Sequence, residues 1–295
     1  MNSFSRNMDI INSIDNETRC RLENGRYIDL LEASLPSESE PNYRRWRDYC
    51  LLGIVRGRNC VKVLSGIIQI EGANVLDFGC GDGGHAVAFA EAGATVTGLD
   101  IDAPRLEKAK ALAEDFGVFV DFRLDLEYGE SLAPRSFDII ICNDVIEHVG
   151  CFDRLAQSHK GLLKNEGLLY LQAPNRFSLK NILEDPHFGL FGISLLGPRI
   201  AGTYVTKVRR RKRRYDVNRF LGWYELNRIY KKAGLKLTCL PNEELLNRLR
   251  TPQLLSRWQR IVLASFSTYF VLCLYRVLWT QSWTVIGTHH ISDRK

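Results

Sequence analysis

The chain has 295 residues, 45% of them hydrophobic and 25% charged, a balance that excludes a disordered chain and allows one large core or one domain with insertions. The net charge of +6 is local: seven of the eight residues Lys207–Arg214 are basic, and without those seven the chain holds 33 basic and 34 acidic residues. The eight cysteines (Cys20, Cys50, Cys60, Cys80, Cys142, Cys151, Cys239 and Cys273) include no C-x-x-C pair and no histidine set that completes a structural zinc site; with a polar N-terminus lacking a signal-peptide run, they point to a reducing, cytoplasmic setting.

Residues 1–40 are polar, with a short amphipathic stretch, RYIDLLEASL, and residues 41–70 mix apolar and basic residues at roughly helical spacing. Together, residues 1–70 read as an N-terminal helical arm with one or two helices next to the domain that follows. From Asn74 strands and helices alternate. NVLDF is an apolar strand entering a glycine turn, HAVAFAEAG a helix stopped by Gly93, and TVTGLD the second strand. APRLEKAKALAEDF is a helix with proline in its first turn, FVDFRLD a third strand and FDIIICND a fourth that looks buried on both faces. FDRLAQSHKGLL is a helix and GLLYLQAP the fifth strand.

This order predicts an α/β fold, a doubly wound, mostly parallel, Rossmann-like sheet of seven strands. Residues 71–175 form its binding core, and 176–214 an apolar and basic insert. Residues 215–241 supply another helix and strand, 242–282 a second apolar helical insert, and 283–295 the last strand and tail. Ligands of such sheets bind at the carboxyl ends of the strands, near the reversal of strand order.

The central motif is Val75-Leu76-Asp77-Phe78-Gly79-Cys80-Gly81-Asp82-Gly83-Gly84. Gly79, Gly81 and Gly84 also satisfy G-x-G-x-x-G, the dinucleotide pattern. Asp77 argues against that reading, because a carboxylate at the strand end repels a pyrophosphate and favours a cationic ligand. S-adenosylmethionine has no phosphate and carries an ammonium and a sulfonium. Asp100 ends the second strand, placed to accept ribose hydroxyls in either reading. Asp125 ends the third, placed for an adenine amino group beside an apolar slot that includes Leu126.

VLDFGCGDGG, GLDID, FDIIICNDVIEHV and LLYLQAPNR resemble class I S-adenosylmethionine-dependent methyltransferases, well over residues 70–175 and loosely over 215–240 and 283–290. EHV, APNR and the apolar insert after APNR are similar to the ubiquinone-biosynthesis O-methyltransferase subgroup. The resemblance implies S-adenosylmethionine held by Asp77, Gly79 and Gly81, its ribose by Asp100 and its adenine by Asp125. Cys80, Ile101, Leu126 and Asn143 are expected to complete that site. The resemblance also implies that the last two strands close the sheet with an antiparallel edge.

Methyl transfer to a hydroxyl needs alignment and a group to take the proton. Candidates follow the fourth strand in Asn143-Asp144-Val145-Ile146-Glu147-His148. A helix starting at Asp144 would place Asp144, Glu147 and His148 on one face by i, i+3 and i+4 spacing. His148 is then the general base, imidazole being the side chain whose unperturbed pKa lies near operating pH. A second reading is a divalent metal held by the same three, for which oxygen ligands suit a hard ion, Asp144 standing where the subgroup tends to have Glu. A third is that Glu147 and His148 only orient the loop and cap the helix. His187, in Asp185-Pro186-His187-Phe188, is expected to stabilise a turn within an insert that covers the pocket, with contact to the acceptor as the alternative, and His85 to line the cofactor site.

The first insert joins FGLFGISLLGPRIAG to the basic run, the pattern of a segment lying on an anionic membrane. Ile261–Tyr275 is uncharged and flanked by arginines and tryptophans, but at fifteen residues it is short for a span, and reads as an interfacial or buried cap helix. The expected partners are a small-molecule or lipid-linked acceptor and an anionic membrane surface, with peripheral attachment at its inner face. Nucleic acid is the rival partner, which would make the chain an RNA methyltransferase anchored by the basic run. A non-catalytic S-adenosylmethionine-binding membrane protein is a further alternative.

Overall fold

In the computed structural model, the described residues are 14–35, 43–209, 215–240, 277–278 and 280–289. Seven strands, β1 (Asn74–Phe78), β2 (Thr95–Asp100), β3 (Asp121–Leu124), β4 (Phe137–Asn143), β5 (Leu163–Pro174), β6 (Leu235–Cys239) and β7 (Ser282–His289), form one sheet in the order β3-β2-β1-β4-β5-β7-β6. β1 runs parallel to β2 and β4, and β2 to β3, whereas β7 is antiparallel to both β5 and β6. The expected doubly wound sheet with an antiparallel edge is therefore present, and strand order reverses at β1 and β4.

The chain divides into two compact units: Met1–Cys142 with Gly161–Leu168, and Asn143–Lys160 with Leu169–Lys295. In the first, Val75 and Leu76 of β1 and Ile139, Ile140 and Ile141 of β4 are buried in unbroken runs, as expected of central strands covered on both faces. α5 (Gly84–Glu91) follows the glycine turn, and α6 (Ala103–Phe116) follows β2. Asp102 caps α6 by accepting from the Arg105 amide at 3.1 Å, Pro104 occupies its first turn and Gly117 at φ +67° ends it. These signals are local, and the sequence places this helix at its observed ends.

The arm contains α1 (Asn16–Asn24), α2 (Arg26–Ser34), α3 (Tyr43–Leu51) and α4 (Gly53–Leu64). α2 has no cap of its own. The Asp115 carboxylate of α6 instead accepts from the amides of Arg26 and Tyr27 at 2.9 and 2.8 Å, and Tyr27 and Leu31 are buried. Arg58 of α4 donates to both carboxylate oxygens of Glu91 on α5, at 3.0 and 2.8 Å. α4 crosses α5 without intervening side chains: a Cβ on Gly84 would overlap the Gly53 backbone, and one on Gly57 would stand 2.5 Å from the Gly84 carbonyl oxygen and 2.8 Å from the Ala88 Cβ.

The second unit holds α7 (Phe152–Leu162, to Lys160), α8 (Leu179–Leu183), a 3-10 turn (Ile193–Leu195), α9 (Pro198–Thr203), a π turn (Tyr204–Val208) and α10 (Trp223–Lys232). Phe188, Leu190, Ile193, Ala201 and Val205 give the first insert a core of its own. The Asn175 side-chain amide donates to the carbonyls of Val277 and Thr280 at 2.7 and 2.8 Å, and Asn181 donates to those of Asn175 and Gln281 at 3.0 and 2.7 Å. These amides tie the residues after β5 to the start of β7. The basic residues 210–214 and the apolar stretch 261–275 lie outside the described residues, as does most of the second insert.

The helix expected from Asp144 does not form. Asp144 sits at φ +54°, residues 146–148 make a turn, and the next helix begins at Phe152. The Glu147 carbonyl, which a helix would use internally, instead accepts from the amides of Asn218 and Arg219 at 2.7 and 3.2 Å. Asp144, Glu147 and His148 therefore do not share a helical face.

The Gly57 contact gives a test with a definite sign. Glycine to alanine in an ordinary helix gains about 1 kcal/mol, whereas overpacking against backbone costs about 1–3 kcal/mol. With a backbone oxygen 2.5 Å away, overpacking should win, so Gly57→Ala should lower the urea midpoint. A raised midpoint would mean that the two helices do not approach this closely.

Candidate functional site: a glycine turn with strand-end acids, and a carboxyl between two imidazoles

β1 ends in a turn whose shape is set by β2. The Leu99 carbonyl accepts from the amides of both Gly79 and Cys80 at 2.8 Å, and the Asp100 carboxylate accepts from those of Gly81 at 2.7 Å and Asp102 at 3.0 Å. Gly79 and Gly81 have φ of +76° and +54°, a region that disfavours other residues. The Arg105 guanidinium lies against Gly81, where a Cβ would collide with it, and pairs with the buried Asp82 at 3.0 Å. The Asp82–Arg105 pair was not legible as a contact, because only the folded turn brings residues 82 and 105 together.

Asp77 is buried and accepts from the Ala86 amide of α5 at 3.0 Å. Burial pushes its carboxyl up to about 7, the Ala86 hydrogen bond opposes this, and the nearby Asp100 charge adds to it. Asp125 follows the last residue of β3, its amide donating to the Asp100 carbonyl at 2.9 Å and its carboxylate accepting from the Gly129 amide at 2.6 Å. Ile101 and Leu126, next to these two acids, are 72% and 70% exposed. Cys80 is buried, with its thiol pushed well up by burial, so it contributes shape rather than reactivity. His85 is only partly exposed; burial and the Arg56 charge push its imidazole down to about 3, so it is neutral. Asn143 is half-buried at the end of β4.

In the second unit, Glu147 is 1% exposed, and neither carboxylate oxygen has a hydrogen-bond partner among the described residues. Burial, then the Asp144 charge, raises its carboxyl well above the ordinary range. The Nε2 atoms of His148 and His187 lie 3.9 and 3.7 Å from Glu147 Oε1 and 3.2 Å from each other. His148 Nδ1 is 3.0 Å from the Asp216 carbonyl, which can only accept, so Nδ1 carries the hydrogen and Nε2 the lone pair of the neutral ring. His187 is carried by a turn built on Asp185, whose carboxylate accepts from the amides of His187, Phe188 and Leu190 at 2.9, 2.9 and 2.8 Å.

Sequence spacing pointed to Asp144 as the third member of this group. The folded chain gathers Glu147, His148 and His187, whose ligand atoms lie within 4.8 Å of one another. The signal available beforehand was the Asp185-Pro186-His187 turn, but nothing local says which surface that turn faces.

A methyltransferase-domain family matches residues 43–240, about two thirds of the chain. The chain belongs to that family. Its fold is shared by an S-adenosylmethionine dependent methyltransferase from Mesorhizobium loti, at TM-score 0.52 and 15% identity, covering 79% of this chain and 99% of that one. It is also shared by the magnesium protoporphyrin IX methyltransferase of Synechocystis PCC 6803 with bound SAH, at TM-score 0.51 and 15% identity, covering 93% and 100%. In sequence the chain is 39% identical over 110 residues to the ubiquinone biosynthesis O-methyltransferase of Actinobacillus pleuropneumoniae, covering 36% of this chain and 47% of that one. It is 31% identical over 170 residues to its namesake from Saccharophagus degradans, covering 57% and 66%. The chain thus matches about half of the length of the first of these relatives and just under two thirds of the second.

If the cationic cofactor of this methyltransferase-family chain sits at Asp77, the raised carboxyl would make its binding pH-dependent. With a folded pKa of about 7 against an ordinary 3.8, Asp77 adds stability to the ligand-free chain at low pH that is lost as pH rises through about 7. A cation bound there favours the carboxylate, so binding releases a proton below about pH 7. Affinity for S-adenosylmethionine should rise with pH, by at most about tenfold per unit, and level off above about 7. Calorimetry of Asp77→Asn should show a flat profile; a wild-type profile that is flat from pH 5.5 to 8 would remove Asp77 from cofactor binding.

Proposed function

We propose that this chain is an S-adenosylmethionine-dependent methyltransferase acting on a hydroxyl of a small apolar or lipid-linked acceptor at a membrane surface. The observation that carries the reaction is the buried Glu147 carboxyl beside two imidazoles, reached within five residues of the end of β4. Strand-end acids and a glycine turn suit the cofactor, which supplies a methyl group on sulfur and leaves as a neutral thioether. When the acceptor oxygen bonds the methyl carbon, the carbon–sulfur bond breaks with its electron pair on sulfur. The hydroxyl proton must go elsewhere. His148 Nε2 holds the lone pair that takes it, because the Asp216 carbonyl fixes the hydrogen on Nδ1. The relatives named for O-methylation in ubiquinone biosynthesis support oxygen as the acceptor atom and an apolar acceptor.

Incubation with methyl-labelled S-adenosylmethionine and a cell extract should put label into the organic phase. His148→Ala should lower that turnover by about 10²–10⁴-fold with cofactor affinity nearly intact. Unchanged turnover would show that the proton leaves by another route.

The membrane part of the reading rests on the first insert. Leu183, Phe191, Ile200 and Val208 are each about two-thirds exposed, and the exposed Lys180, Arg199, Lys207 and Arg209 stand among them in the chain. Apolar burial gives about 25 cal/mol per Å² whatever the salt, whereas each basic residue near an anionic surface gives about 1 kcal/mol that salt screens. No helix among the described residues is long and apolar enough to cross a membrane. The protein should pellet with anionic vesicles more than with neutral ones, and high salt should release part of it. Phe191→Ser with Ile200→Ser should remove the salt-resistant part. Retention on RNA with no vesicle binding at low salt would replace the membrane surface by nucleic acid.

A further inference from the structure

The resemblance to the ubiquinone subgroup implies a hard divalent ion on Asp144, Glu147 and His148, and the folded chain does not bring those three into one ligand set. The set it gathers is Glu147, His148 and His187. We propose that Glu147 Oε1, His148 Nε2 and His187 Nε2 form a site for a borderline divalent ion of the zinc class, with its third ligand supplied by the first insert. The inference rests on the reading that this cluster handles the acceptor's proton and changes the means: with an ion bound, His148 Nε2 would be a ligand, and the acceptor hydroxyl would be acidified by the ion rather than deprotonated by that lone pair.

Three independent features support it. The first is geometry. A tetrahedral ion with bonds of about 2.0–2.1 Å has ligand atoms about 3.4 Å apart. The three atoms here are separated by 3.2, 3.7 and 3.9 Å, so shifts of a few tenths of an ångström would bring them around one ion. The second is the buried carboxylate. Glu147 is 1% exposed, and neither of its oxygens has a hydrogen-bond donor among the described residues. Two imidazole nitrogens facing each other can share only one hydrogen, whereas a cation satisfies both lone pairs and the carboxylate together. The third is the outer contact. Histidines that bind metal usually donate their other ring N–H to a carbonyl or carboxylate, and His148 Nδ1 meets the Asp216 carbonyl at 3.0 Å.

The donor set then decides the ion. Two nitrogens and one oxygen are a poor offer to magnesium or calcium, which take oxygen ligands, and a good one to zinc. Three protein ligands leave a fourth position open, the arrangement of catalytic rather than structural zinc. An ion there would supply Lewis acidity towards a hydroxyl.

The test uses the untagged full chain, stripped with a chelator. Zinc chloride and magnesium chloride are titrated by calorimetry, and cobalt(II) chloride is followed by its visible spectrum. One equivalent of zinc should bind at micromolar or lower Kd, with magnesium at least about a hundredfold weaker. Cobalt should give d–d bands without a thiolate charge-transfer band, which separates this site from the cysteines. His187→Ala and Glu147→Gln should each weaken zinc by more than the roughly 10–100-fold that an outer-shell partner is worth. The binding of S-adenosylhomocysteine and the circular dichroism spectrum should not change in either variant, which reports that the fold is intact. No zinc binding up to about 100 μM, a thiolate band with cobalt, or zinc affinity unchanged in both variants would each overturn the site. Zinc binding that is present in the wild type and weakened in His148→Ala, with turnover left intact in that variant, would instead keep the site and overturn the proton reading.

Discussion

The end of β2 holds the glycine turn in place. The Leu99 carbonyl takes the amides of Gly79 and Cys80, and the Asp100 carboxylate takes those of Gly81 and Asp102. Four backbone donors that would otherwise face a buried turn are thereby satisfied. The turn delivers α5 with its first amides towards Asp77, and Ala86 is bonded to that carboxyl. It also puts Gly84 against Gly53, so the arm must approach with a face free of side chains there. The arm is thus a structural consequence of the turn as well as an addition to it, and Asp115 fixes its second helix by lending a cap that α2 lacks.

In the second unit the corresponding constraint is the Asp185 carboxylate. It takes three amides of its own turn, those of His187, Phe188 and Leu190, and so presents the His187 ring in one orientation, with Phe220 at 5.6 Å between ring centroids on another side. The Glu147 carbonyl is held by the amides of Asn218 and Arg219, and the Asn218 side chain donates to the Val149 carbonyl at 2.8 Å. Segments 145–149, 185–190 and 216–220 therefore position one another, and the three site atoms belong to two of them. None of these segments is a helix or strand. Their precision comes from side chains bonded to backbone, which is how loops on a rigid scaffold carry chemistry.

What could be read in the sequence follows the range of the forces involved. TVTGLD and APRLEKAKALAEDF are legible to the residue because residue pattern and the proline in the first turn of the helix are local signals; the Asp102 cap and Gly117, seen in the structure, are local too. The antiparallel edge came from family resemblance rather than from any local signal. The helix at Asp144 failed because i, i+3 and i+4 spacing assumes that the Glu147 carbonyl stays within the helix, and residues 71 and 72 positions later claim it instead. In sequence His187 reads as a turn residue, and its amide does serve the turn, but the partner of its ring lies 39 positions earlier. Distance along the chain, rather than weakness of interaction, hid the third member of the site.

Three buried acids separate by how many donors they meet. Asp185 has three amides at 2.8–2.9 Å and accounts for itself as the core of a turn. Asp77 has one, from Ala86, and burial leaves it near 7, between the two charge states. Glu147 has none among the described residues, only two imidazoles beyond hydrogen-bond range. A buried polar group without a partner costs about 1–3 kcal/mol, and more if charged, against a total stability of about 5–15 kcal/mol. Packing gives no return for that cost, since a leucine would fill the same space with no polar atom to satisfy. The structural explanation fits Asp185, half fits Asp77 and fails at Glu147. The two carboxyls that folding leaves under-satisfied stand one in the glycine turn and one in the histidine cluster.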